Sequence, residues 1–220
     1  MGYRDRHDAG RQLAAELALT GFTDPVVLAL PRGGVPVAYE VARTLHAPLD
    51  VVIVRKLGHP EQPELGLGAL GEGGVEIHND VLIAECGISA GQLQEVVADE
   101  TAELRRRSQR YRRGRDPLPL IGRTVILVDD GLATGATARA AIEVVRQRGA
   151  AEVVLAVPVA PASTVIALRR VADAVVCLHV PRWFGSVGNF YHDFAQTSDE
   201  EVARLLDRAA RRPLPHYGVG

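Results

Sequence analysis

Asp129 and Asp130 stand side by side after an apolar run (residues 125–128), and Gly131, Leu132, Ala133, Thr134, Gly135, Ala136 and Thr137 follow them. The apolar run reads as a buried parallel strand, and the small and hydroxylated residues read as a loop that opens a helix. Two adjacent acids cannot enter a core unpartnered, so both must sit where hydroxyls, a cation or water can reach them. The loop after them offers converging N–H donors at a helix N-terminus, a bare Gly135 and the hydroxyls of Thr134 and Thr137. That combination suits a phosphate dianion. Acids that accept sugar hydroxyls beside a loop that grips phosphate make a site for a sugar phosphate.

A second candidate phosphate loop comes earlier. Residues 26–30, VVLAL, are an uninterrupted apolar strand that ends in Pro31, Arg32, Gly33 and Gly34. Paired glycines expose backbone N–H groups, and Arg32 offers a bidentate fork for phosphate or pyrophosphate. Open α/β sheets bind ligands at the C-terminal ends of strands where the chain order reverses. If strands 26–30 and 125–128 are neighbours there, both loops converge on one crevice. Arg55 and Lys56 end a third apolar run, residues 49–54. Lys56 is the one lysine among 25 lysines and arginines. Keeping it suits either a need for a compact point charge or chance survival.

The elements that must position these groups alternate along the chain. Helical spacing covers residues 8–20, with Gly21 as a cap, and the charged lead of Tyr3, Arg4, Asp5, Arg6 and His7 reads as solvated surface or as a substrate contact. A helix over 35–45 returns from the first loop. Residues 57–74 hold six glycines and two prolines and exclude a regular helix, which leaves a water-excluding lid or a glycine-rich hairpin. A strand is expected near 74–81. Ser89 and Gln92 make a capping box for a long helix over 89–113. Its end carries Arg105, Arg106, Arg107, Arg110, Arg112, Arg113 and Arg115, read as a solvated helix end that complements the macrodipole, or as a nucleic-acid contact. After the acid turn come a helix over 138–148, a strand over 153–157, a helix over 163–171 and a strand over 174–178. Trp183, Phe184, Phe190 and Tyr191 then gather near glycines, either to stack on a flat base or to form a small core. A final helix spans 199–206, and the chain from Arg211 onward is expected to fray.

Composition limits the function classes. The 220 residues, 47% of them hydrophobic and 24% charged, suit an α/β protein with a sizeable core. A net charge of −2 gives no global attraction to nucleic acid or anionic membranes. Cys86 and Cys177 lack metal-ligand spacing and suit a reduced compartment. No apolar run reaches membrane-spanning length and residues 1–10 lack a signal peptide's apolar segment, so a cytoplasmic protein is expected.

The order of apolar run, two acids, and Thr-Gly-x-Thr over residues 125–137 resembles the phosphoribosyl pyrophosphate (PRPP) signature of type I phosphoribosyltransferases. The resemblance extends over residues 24–195, with looser matches at 31–34 and 55–74. It implies a three-layer α/β/α fold, a mostly parallel sheet with one antiparallel strand, in a core of residues 1–180 with a flexible loop at 57–74 and an inserted helix at 89–113. A small C-terminal hood and tail would occupy 181–220. The implied reaction transfers ribose 5-phosphate from PRPP to a base and releases pyrophosphate. By carry-over, Asp129 and Asp130 hold ribose hydroxyls and orient hydrated Mg²⁺, while residues 133–137 hold the 5′-phosphate. Arg32, Gly33 and Gly34 would meet pyrophosphate, and Lys56 with Arg55 would serve the leaving group, beside a catalytic loop containing Glu64. Trp183 and Phe184 would face the acceptor, and homodimers are common in the family.

Two departures bear on the acceptor. Where 6-oxopurine enzymes of the family carry an acid before Thr-Gly, this chain has Ala133, and it has no second lysine to read an oxo group. Hypoxanthine and guanine are therefore disfavoured, whereas adenine-type and uracil-type loops tolerate the alanine. The rival reading keeps the fold but makes the protein a PRPP-sensing regulator that binds RNA or DNA through its arginine-rich helix end.

Overall fold

The computed structural model describes residues 2–62 and 65–212. Glu64 and the tail beyond 212 lie outside the described residues. Five apolar segments form one parallel sheet: β1 (Pro25–Ala29), β2 (Leu49–Val51), β6 (Thr124–Val128), β7 (Glu152–Val159) and β8 (Ala174–His179). Every residue of β1 is buried, as expected of a strand covered on both faces. The order is β2-β1-β6-β7-β8, so the chain steps outward from β1 to β2 and then crosses back to β6 on the other side. The reversal falls between β1 and β6, paired in parallel from Pro25 with Thr124 to Ala29 with Val128. Both phosphate-loop candidates thus leave adjacent strands at the switch point.

Helices α1 (Arg6–Ala18), α2 (Gly34–Leu45) and α7 (Asp199–Ala210) belong with one apolar core, and α5 (Ala136–Gln147) and α6 (Ala162–Leu168) with the other. Alternate residues of each strand supply the two cores; Val27 and Ala29 enter the first, Val26 and Leu28 the second. Complete burial of each valine or leucine side chain contributes about 1.5–3 kcal/mol.

The run 49–54 does not form one strand. The chain leaves the parallel sheet after Val51, and β3 (Val54–Gly58) begins a separate antiparallel sheet with β4 (Gly66–Gly71) and β5 (Val75–His78). Arg55 and Lys56 are therefore within β3 and not at a strand's end. The antiparallel component of the fold is this second sheet. Among the described residues of 57–74 most belong to β3, β4 and the turn after β4, and two glycines there serve close packing. A Cβ on Gly68 would lie 2.1 Å from the Ile77 carbonyl oxygen, and one on Gly71 would lie 2.3 Å from Val144 Cγ2 on α5.

Helix α3 (Asp80–Glu85) and the long α4 (Ala90–Arg112) follow, the latter opened by the expected Ser89/Gln92 capping box. The end of α4 is locked into the fold by Arg112, 2% exposed. Its Nε lies 2.8 Å from Asp50 Oδ1 on β2, and its guanidinium also pairs with Glu72 and donates to the Val51 carbonyl at 2.7 Å. One arginine thus joins α4, the antiparallel sheet and the edge of the parallel sheet. The neighbouring cations are paired too: Arg106 and Arg107 with Glu103, Arg110 with Asp199 and Glu200, Arg113 and Arg115 with Asp207. The expectation of a solvated helix end is corrected for the buried Arg112, while Arg105, Arg106, Arg110, Arg113 and Arg115 stay exposed, several of them paired with carboxylates of α7.

Candidate active site

Strand β6 delivers Asp129 and Asp130 to the C-terminal edge of the sheet. The Asp130 amide donates to Asp129 Oδ1 at 2.8 Å, which fixes the turn between the acids. The loop after β1 packs directly on this turn. A Cβ on Gly33 would lie 2.1 Å from Asp130 Oδ2, and one on Gly34 would lie 2.6 Å from the Val128 carbonyl oxygen and 2.9 Å from Asp129 Cα. The paired glycines are required by this apposition as well as by any need for bare amides. The peptide between Pro31 and Arg32 is cis.

Burial and mutual repulsion push the Asp129 carboxyl well above the usual carboxylate range. Burial also raises Asp130, against the opposing pull of Arg6. Arg6, the first residue of α1, brings its Nε to 2.7 Å from Asp130 Oδ2. The ordinary reading of the charged N-terminal lead as solvated surface does not hold for Arg6, whose side chain is 11% exposed. Two further residues reach the turn from the segment after β8. Tyr191 donates its hydroxyl to the Asp130 carbonyl at 2.5 Å, and Val187 crowds Gly131, where a Cβ would lie 2.6 Å from Val187 Cγ1. Tyr191 carried a signal in the aromatic cluster; Arg6 carried only its charge.

The loop over residues 133–137, the candidate for a phosphate, opens helix α5 as the spacing suggests. Gly135 takes a left-handed conformation, φ +74°, as it caps α5. Its bare side faces α6, where a Cβ would lie 2.8 Å from Thr164 Cγ2 and 2.9 Å from Leu168 Cδ1. The glycine therefore answers to backbone geometry and packing, not to the approach of a ligand. The loop is tied down by Leu132 N to the Val159 carbonyl (2.9 Å) and by Thr164 Oγ1 to the Ala133 carbonyl (2.6 Å). Helix α5 begins its ladder with Arg139 N to the Gly135 carbonyl, so the amides just before it lie ahead of the first helical bond. Ala133, Thr134, Ala136 and Thr137 are exposed around them.

Lys56 lines a cavity of about 390 Å³ between the antiparallel sheet and α5, with Thr137, His78 and Arg139 among its other walls. Its Cε lies 3.0 Å from where a Cβ on Gly66 would stand. Arg55, one position earlier on the strand, projects to the opposite face and meets Glu100 of α4, Nε to Oε2 at 2.5 Å. Arg32 is 38% exposed and turns toward α7, 3.8 Å from Asp199. Trp183 is 91% exposed, and Phe184 stacks on Phe190 with ring centroids 5.7 Å apart. The structure thus brings Gly33, Gly34, Asp129 and Asp130 together, places Lys56 beside the start of α5, and sets Arg55 apart.

Residues 4–195 match the phosphoribosyl transferase domain family. Over 209 residues, 95% of this chain, the sequence is 54% identical to a protein of Mycobacterium tuberculosis provisionally named a phosphoribosyl transferase, found in two strains. The chain spans about half the length of these curated relatives, 47% of each. A crystal structure of the Thermus thermophilus protein TT1426 is 48% identical and superposes with a TM-score of 0.85, covering 94% of this chain and 98% of that one.

Proposed function

The chain belongs to the phosphoribosyl transferase domain family, and from that premise we propose that it transfers ribose 5-phosphate from PRPP to a nitrogenous base with release of pyrophosphate. The observation that carries this reading is the junction at the switch point, where the loop of Gly33 and Gly34 closes on the turn of Asp129 and Asp130. One loop alone could bind any phosphate. Two loops meeting over a pair of acids suit a ligand with phosphate at both ends and a sugar between them.

In this proposal Asp129 and Asp130 accept the ribose hydroxyls, and residues 133–137 hold the 5′-phosphate with amides at the α5 N-terminus and with the Thr134 and Thr137 hydroxyls. Arg32 leaves its 3.8 Å contact with Asp199 to join Gly33 and Gly34 at the pyrophosphate. Lys56 is the point charge for the leaving group, and Arg55 would join it by releasing Glu100. The hairpin within residues 57–74 covers the reacting centre and excludes water. Trp183 and Phe184, in a hood formed by the segment from 181 onward, stack against the base.

The donor set fits Mg²⁺. Two neighbouring carboxylates present hard oxygens, and no group of three or more His, Cys, Asp or Glu gathers among the described residues to chelate a metal by protein atoms alone. One or two carboxylates with water and substrate oxygens is the usual manner of holding Mg²⁺, which when bound neutralises pyrophosphate charge. Ala133 leaves the base without an acidic partner at that position, which disfavours a 6-oxopurine and leaves another base or a non-standard acceptor open. A homodimer in the cytoplasm is the accompanying expectation; among the described residues no helix is long and apolar enough to cross a membrane. The rival reading, a regulator that binds nucleic acid through the arginine-rich segment, is the less favoured one, since carboxylates of the same chain pair with Arg110, Arg112, Arg113 and Arg115. Incubating the protein with PRPP, Mg²⁺ and a panel of bases tests the proposal. Pyrophosphate release with at least one base is expected, and PRPP binding without release from any base would move the reading to a sensor.

A further inference from the structure

The N-terminal lead and the segment after β8 are stitched together over the acid turn. Tyr3 N donates to the Phe190 carbonyl at 2.8 Å, and His192 N and Asp193 N donate to the Tyr3 and Arg4 carbonyls at 2.9 Å. Tyr3 Oη anchors the pair to the sheet by donating to the Pro158 carbonyl at 2.8 Å. Asp5 then caps α1, accepting from Asp8 N at 2.7 Å, so that Arg6 starts the helix in a fixed position. Its guanidinium is held by three groups. Nε meets Asp130 Oδ2 at 2.7 Å, Nη1 donates to the Ala195 carbonyl at 2.7 Å, and the carbon at its centre lies 3.9 Å over the Phe194 ring. A planar cation held by a ring on one face and by hydrogen bonds at its edge has few alternative positions.

We infer that Arg6 is a positioning residue of the acid pair: it serves as a built-in counter-cation that keeps Asp130 aimed at the turn when no ligand is present and competes with a divalent cation for that carboxylate. The inference rests on the proposed ribose and metal role of Asp130. Its physical basis is the shortage of room and charge. Asp130 is 14% exposed and faces Gly33 at a distance that admits no side chain, so its carboxylate has little freedom to turn toward a second cation. A metal ion that needs Asp130 must share it with Arg6 or displace the guanidinium, and the free ion brings no sugar hydroxyls or phosphate oxygens to compensate. Free metal is thereby disfavoured, and metal arriving with a polyphosphate is favoured.

The test uses Mn²⁺ as the probe, titrated by electron paramagnetic resonance and calorimetry without PRPP. Arg6→Gln keeps a polar stem but removes the charge, and it should bind Mn²⁺ at least about tenfold more tightly than the parent. Arg6→Lys keeps the charge and should stay within about threefold of the parent. Adding Asp130→Asn to Arg6→Gln should abolish the gain. Phe194→Leu removes the ring beneath the guanidinium and should give a smaller gain of the same sign, which keeps the inference testable if Arg6→Gln folds poorly. Mn²⁺ affinity in Arg6→Gln equal to or weaker than in the parent would overturn the inference, as would a gain that survives Asp130→Asn. The proposed function is judged separately by PRPP titration of the parent. A gain in Mn²⁺ affinity in a protein that binds no PRPP would uphold the counter-cation and overturn the transferase reading.

Discussion

Gly33 and Asp130, from the two loops at the switch point, touch so closely that a Cβ on the glycine would stand 2.1 Å from Asp130 Oδ2 and 2.7 Å from its Cγ. Gly33 has φ −60° and ψ −34°, which any residue can adopt, so the constraint is the acid and not the backbone. Gly33→Ala should fold but swing Asp130 away from Arg6. We expect PRPP affinity to fall by about tenfold or more, for a stability cost of about 1–3 kcal/mol. Gly91→Ala is the control, since nothing lies within 4 Å of a Cβ there and the site is in the first turn of α4. It should leave PRPP affinity unchanged and raise stability by about 0.4–1 kcal/mol. Paired calorimetric and thermal melts of the two variants separate the effects, and equal PRPP affinity in both would remove Asp130 from the ligand site.

Asp129 sets a trade between stability and function. Burial and the neighbouring Asp130 raise its pKa on folding, so the group favours the folded state below the ordinary carboxylate pKa and that benefit is lost as pH rises through the folded value. Above both values the ionised form is a net cost. Asp129→Asn keeps an oxygen to accept from the Asp130 amide, yet removes that cost. The variant should melt about 2 °C or more above the parent at pH 8, with a smaller difference at pH 4. It should also lose Mg²⁺-dependent PRPP binding. A variant that melts lower than the parent at pH 8 would show that the charge is compensated in the folded protein.

Arg112 is predicted to matter for stability alone. It is 2% exposed between Asp50, 5% exposed, and Glu72, 4% exposed, and its removal strands both acids in the interior. Arg112→Ala should cost about 3–5 kcal/mol, read as a shift in the urea midpoint. An apolar replacement that also neutralises both partners, Arg112→Met with Asp50→Asn and Glu72→Gln, should recover much of the loss. A single variant as stable as the parent would mean that water enters and solvates the acids.

The sequence made the α/β alternation legible because β1, β6 and β7 are near-continuous apolar runs bounded by turn residues, and it made the acid turn legible because its chemistry is local. The break after Val51 was hidden, since residues 49–53 are all buried and apolarity does not say which sheet receives them. Glycines at 68 and 71 suggested mobility, yet their reason lies in partners on β5 and α5 that composition does not name. Arg6 was missed for the same cause: its partner Asp130 is 124 positions away. The arginines at the end of α4 find Asp199, Glu200 and Asp207 some 90 positions later, so a count of positive charge along the segment overstated its local net charge, although most of these arginines are exposed.

Lys56 gives the last and most demanding prediction, conditional on the transferase activity proposed above. Its stem crosses the bare backbone of Gly66, with Cε 3.0 Å from the place a Cβ would take, and its strand holds it beside Thr137 at the start of α5. A chain that uses arginine everywhere else keeps lysine at this position. Lys56→Arg preserves the charge but replaces a compact ammonium by a longer planar fork, which must place its charge differently in a cavity bounded by Gly66, Gly68 and His78. If the charge acts on the departing pyrophosphate, its contribution is larger in the transition state than in the bound ground state. Turnover with the best base should then fall by roughly 10²-fold for a displacement of about 1 Å, while PRPP affinity and melting temperature stay near those of the parent. Steady-state kinetics with parallel PRPP titration separates the two quantities. A matched loss of affinity and turnover would make Lys56 a ground-state anchor, and turnover within a factor of two of the parent would leave the leaving group to Arg55, Arg32 or the metal.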